Sequence, residues 1–132
     1  MENNTLLHRQ IHPHFVQKSE VSSQAFEATS SAFKPTPKDD SKLSVYNGEK
    51  FSAKEAFEHF VEHYTSIGVL SVSVQEALDI QLSSTEDNIP FNGHAYIDFT
   101  GLSSNQMKSK AKLLKKKAND RGWLHFDPNY EQ

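Results

Sequence analysis

Only two stretches of this chain repeat their apolar residues with a helical period, and they lie among six short runs of strand character. Ser52 with Glu55 forms a capping box, and Phe57, Phe60, Val61 and Tyr64 then recur at i, i+3, i+4, i+7, with Gly68 as the stop. Ser103 or Ser104 can cap the second helix, whose stripe is Met107, Ala111, Leu114 and Ala118, running to about Asn119 before Gly122 stops it. Strands are expected at Leu7–Ile11, Ser23–Phe26, Lys42–Tyr46, Val69–Val74, Ala95–Phe99 and Trp123–Phe126, with one short helix over Val74–Leu82. Asn47-Gly48 is a tight-turn signal. The resulting order, β-β-β-α-β-(α)-β-α-β, lacks regular βαβ alternation. It predicts an α+β fold: a small mixed or antiparallel sheet with two main helices.

The chain has 132 residues, which suits one domain able to bury roughly two-thirds of its unfolded surface. Residues 1–5 are expected to be a flexible N-terminus, 6–127 the single domain, and 128–132 a C-terminal tail. Pro13 breaks the first apolar segment, so His12–His14 should turn. Residues 17–42 are rich in Ser with Pro35 and Pro37, and read as a long loop. Residues 83–93 read as a polar loop.

There are no cysteines, so neither a disulfide framework nor a thiolate metal site or nucleophile can form. A reducing, cytoplasmic setting is the natural expectation. The net charge of −3 does not by itself favour nucleic acid or anionic lipid. No apolar run approaches the roughly 18 residues a membrane span needs, and the polar start carries no secretory signal. Phosphate-cradling glycine motifs, a nucleophile elbow and an EF-hand loop are all missing from the sequence.

Four clusters carry chemistry. His59-Phe60-Val61-Glu62-His63 spells H-x-x-E-H, the order of the inverted zinc metallopeptidases. On a helical wheel, however, both His fall opposite the Phe57/Phe60/Val61/Tyr64 face, on the solvent side. They are read as a surface pair, with no metal or cofactor expected. The second cluster is a candidate pocket of His8, Arg9, His12 and His14, with Ser22, Ser23 and Gln24 adding hydrogen bonds and His94 converging from a distant strand. In it Arg9 would hold an anion while a His serves as acid or base. His8 and Arg9 should point to opposite faces of their strand. His94 and Asp98 share a strand face about 13 Å apart, too far to pair, leaving Asp98 as the partner of a Lys or Arg. The last helix bears a candidate basic patch of Lys108, Lys112, Lys115 and Lys116, which also reads as a solvated face that complements the helix dipole.

The strings LLHRQIHPHFVQ, VSSQAF, LSVYNG, GVLSVSVQEAL, HAYIDF and ANDRGW resemble a family of short, uncharacterised bacterial proteins. The likeness spans Leu7 to Trp123 and implies no activity and no site residues. The opening Leu7-His8-Arg9 with a later Ser pair is also similar to ADP-ribosyltransferase-like sheets, but no Tyr and Glu complete that pattern.

These features predict a bacterial, cytoplasmic binding or accessory module that acts through contacts with another protein. A small enzyme or nucleotide-binding protein using the N-terminal His/Arg cluster is the alternative. A nucleic-acid binder acting through the lysine helix is the third reading.

Overall fold

The computed structural model describes residues 1–17, 27–36 and 40–129. The strand expected at Ser23–Phe26 lies outside them, as do Ser22, Ser23 and Gln24. In chain order the elements are β1 (Leu6–Ile11), a 3-10 turn (Pro13–Phe15), β2 (Val16–Gln17), β3 (Glu27–Ala28), a second 3-10 turn (Ser30–Phe33), β4 (Lys42–Asn47), α1 (Ala53–Phe60), β5 (Gly68–Ser73), α2 (Val74–Leu78), β6 (Ser84–Glu86), β7 (His94–Asp98), α3 (Ser104–Arg121) and β8 (His125–Phe126). Six strands form one antiparallel curled sheet in the order β6-β7-β4-β1-β5-β8, and β2 pairs β3 in a small ribbon. The fold is α+β.

One face of the sheet is the core. Leu7, Ile11, Leu43, Val45, Leu70, Val72, Ala95 and Ile97 are buried there with Ala111, Leu114 and Ala118 of α3 and with Ala32 and Phe33 of the second 3-10 turn. The α3 stripe follows the expected spacing. Ser103 caps it, accepting from the Gln106 N–H while the Gln106 side chain returns to the Ser103 N–H. Gly122 ends it at φ +87°, a conformation most side chains avoid.

The opposite face is polar and aromatic. His8 stands level with Tyr46 on β4 and with Ser71 on β5, and Tyr46 stands level with His94 on β7. Residues level across an antiparallel pair share a face. Over β5 and part of β1 this face is covered by α1. Towards β4 and β7 it opens into a hollow.

Four expectations change. The first helix stops at Phe60 rather than continuing to Gly68, so Val61 and Tyr64 are 39% and 68% exposed and Ala56 is its fully buried residue. The short helix ends at Leu78. The polar loop contains β6, which pairs with β7. Residues 1–5 are hydrogen-bonded into the domain: Gln75 N–H donates to Asn3 O, Val74 N–H donates to Thr5 O, and Thr5 is buried. Among the described residues, no helix is long and apolar enough to cross a membrane.

Candidate functional site

The open half of the polar face is the floor of a cavity of about 830 Å³. Its floor carries His8, Ser44 and Tyr46 from β1 and β4. One wall is the end of α1 and the turn after it, with His59, Phe60, His63 and Tyr64. The facing wall is the β6–β7 loop, with Pro90 and Phe91, and the start of β7, with His94; β1 and the turn after it add Arg9, His12 and Phe15. Five imidazoles therefore reach one cavity from three separate stretches of the chain.

Arg9 reaches the site because the sheet splits. β1 and β4 pair only at Leu7↔Asn47 and His8↔Tyr46. Beyond His8 the guanidinium bridges the strands, donating from Nη1 to Ser44 O and from Nε to Ala32 O, each at 2.8 Å. An arginine is suited to this, since its planar fork carries several donors at once. Alternation still holds along the strand: His8 faces α1, while Arg9 reaches the second 3-10 turn.

His8 is 4% exposed and both of its nitrogens are used. Nε2 lies 3.1 Å from Phe51 O, which can only accept, so Nε2 carries the hydrogen. Nδ1 then accepts from Ser71 Oγ at 2.7 Å. Burial holds this imidazole below its ordinary pKa. A neutral ring with both positions occupied has nothing left to offer a substrate, so His8 supports the floor and does no acid–base work.

His59 sits inside an aromatic cluster rather than on a solvent face. Its ring lies 4.5 Å from Phe91, 5.5 Å from Phe51 and 5.6 Å from Tyr46. The Tyr46 hydroxyl is 2.8 Å from His59 Nδ1. Tyr46 is 5% exposed, and burial, with the charge of Glu62 adding, pushes its phenol up to about 12. The phenol therefore keeps its hydrogen, and as a neutral hydroxyl it can give or take the hydrogen bond it shares with His59 Nδ1.

His94 is held by a carboxylate. Its Nδ1 lies 2.6 Å from Asp87 Oδ1, and its side chain is 14% exposed. The loop bearing both residues is pinned: the Lys50 ammonium binds the Glu86 carboxylate and also Asn88 and Asn92. That ammonium holds the Glu86 carboxyl below the usual range. Gly93 sits at φ +104°, and a Cβ there would lie 2.4 Å from the Phe51 ring, so the loop's close approach to the aromatic cluster requires glycine.

No family model, curated protein or solved structure matches the chain.

Of the residues singled out from sequence, His8, Arg9, His12 and His94 line this cavity. His14 does not; it is exposed, its N–H donates to His12 Nδ1, and its ring stacks edge-on at 4.4 Å. Lys108, Lys112 and Lys116 are exposed and Lys115 is half-buried, on the side of α3 away from the core stripe. Asp98 does not pair with His94; it stands level with Lys42 and is held below the usual carboxylate range first by hydrogen bonds from Thr100, with the Lys42 charge adding. Among the described residues, no three His, Cys, Asp or Glu side chains are grouped to hold a metal ion. Tyr46, Phe60 and Phe91 were missed, although the alternation that buries Leu43 and Val45 already places Tyr46 on the other face.

Proposed function

We propose that the chain is a cytoplasmic small-molecule-binding domain whose ligand is a planar, ring-bearing molecule. One observation carries this reading: rings from separate elements, Phe15, Tyr46, His59, Phe60, Tyr64 and Phe91, line a single cavity of about 830 Å³. Small-ligand sites are typically concave, mainly apolar, and furnished with a few placed polar groups. Aromatic walls favour offset or edge-on contact with a flat guest. This reading keeps Arg9 and His12 of the N-terminal cluster in the site and takes its polar contacts from His59 and His94. A protein partner is the second reading, favoured by the exposed Val61, Tyr64 and Ile89 beside the mouth.

The test is amide NMR with a library of aromatic and heteroaromatic fragments. Fragment hits should shift Ser44, Tyr46, Phe91 and His94 together, and Phe91→Ala should weaken them. Fragments that shift no residue, or only residues remote from the cavity, refute the reading.

A further inference from the structure

Resting on the ring-ligand reading, we propose that His94 Nε2 accepts a hydrogen bond from the bound molecule, so that the ligand is a planar ring carrying an N–H or O–H donor. The Asp87 carboxylate accepts hydrogen bonds and does not give them, so the contact at 2.6 Å places a hydrogen on His94 Nδ1. A neutral imidazole has one N–H, and Nε2 then keeps its lone pair. Among the described residues Nε2 has no protein partner, although the side chain is only 14% exposed and lines the cavity.

The backbone around the pair is closed on itself. Asp87 N–H and Asn88 N–H both donate to His94 O, and His94 N–H donates to Phe91 O, so the acid, the imidazole and the loop between them form one closed unit. The edge-on Phe91 ring, 5.4 Å away, braces the imidazole at an interplanar angle of 88°. A carboxylate holding the far nitrogen of a His is a general means of fixing which tautomer faces a guest. The contrast with its neighbours gives the specificity. His8 has both nitrogens bound within the protein, and His59 shares its Nδ1 with the Tyr46 hydroxyl, which can give or take that hydrogen. His94 is the imidazole that presents an acceptor.

Three matched pairs test this at pH 8 by calorimetry and NMR: indole and 1-methylindole, benzimidazole and 1-methylbenzimidazole, 2-naphthol and 2-methoxynaphthalene. Each methyl removes the donor and little else. The donor-bearing member of each pair should bind the wild-type protein about fivefold more tightly, as one added hydrogen bond implies. That preference should vanish in His94→Phe and shrink in Asp87→Asn, while the methylated members bind all three proteins alike. Equal binding of both members to the wild type, or a preference that survives His94→Phe, overturns the proposal while leaving the ring-ligand reading intact. Absence of cavity binding by every compound overturns both. Long-range ¹H–¹⁵N spectra of the wild type supply a readout that no failed variant can obscure: His94 should be protonated at Nδ1, and an Nε2–H tautomer is incompatible with the proposal.

Discussion

Replacing His8 with Phe keeps a ring beneath the cavity but removes both of its hydrogen bonds. Ser71 Oγ, in a residue that is 0% exposed, loses its acceptor, and Phe51 O loses its donor. A stranded buried polar group costs about 1–3 kcal/mol, and Phe51 O, only part-buried, falls at the low end. The expected total is about 2–4 kcal/mol, or roughly 7–14 °C in Tm for a chain of this length. Urea unfolding followed by far-UV circular dichroism measures it. Ser71→Ala on top of His8→Phe removes the stranded hydroxyl and should recover about 1–2 kcal/mol, so the double variant is less destabilised than the sum of the two single variants. The same imidazole sets a pH dependence. Its folded pKa lies below the unfolded value of 6.5, so the unfolded chain binds this proton more readily. Its contribution is present above about 6.5 and is lost as pH falls below that value. The wild type should therefore lose stability faster than His8→Phe between neutral and mildly acid pH. A cost below about 0.5 kcal/mol, additive behaviour with Ser71→Ala, or parallel pH profiles would refute the neutral, doubly bonded His8.

Three further outcomes are expected. Gly93→Ala forces a Cβ to 2.4 Å from the Phe51 ring at φ +104°. It should cost more than about 2 kcal/mol and displace the ring-current-shifted signals of Phe51 and Phe91, whereas a neutral substitution would show that the loop does not press on the cluster. Leu114→Ala opens a hole under the sheet and should cost about 2–5 kcal/mol in urea unfolding, with little change in fragment binding at the far face. Ser103→Ala removes one side of the α3 capping box and should cost about 1 kcal/mol, with unprotected amides appearing at the first turn in hydrogen exchange.

Local chemistry made the helix starts and the sheet strands readable. Ser52, Ser73 and Ser103 each cap a helix with a Glu or Gln three residues on, and the α3 stripe needed only its own period. The end of α1 was not readable from period alone. Phe57, Phe60, Val61 and Tyr64 continue a helical pattern past the point where the backbone leaves the helix, because the tertiary structure buries Ala56 and uses His59 against Tyr46, Phe51 and Phe91. That single misplaced boundary turned the wheel and put His59 on the wrong side. The convergence of Arg9, His12 and His94 depends on strand order, with β4 lying between β1 and β7, which no local pattern encodes. The Asp87–His94 contact is equally hidden, since six residues of loop separate its two members.

Both borders of the main sheet are short. β6 offers three residues and β8 two, and the long strands β1, β4 and β5 all lie inside. A free backbone edge is what a stray chain uses to extend a sheet, and its grip grows with the number of amides it can engage. Here neither border gives an incoming strand more than a brief foothold. The chain can therefore keep an aromatic-walled hollow open on one surface without also presenting a rail along which copies of itself would stack.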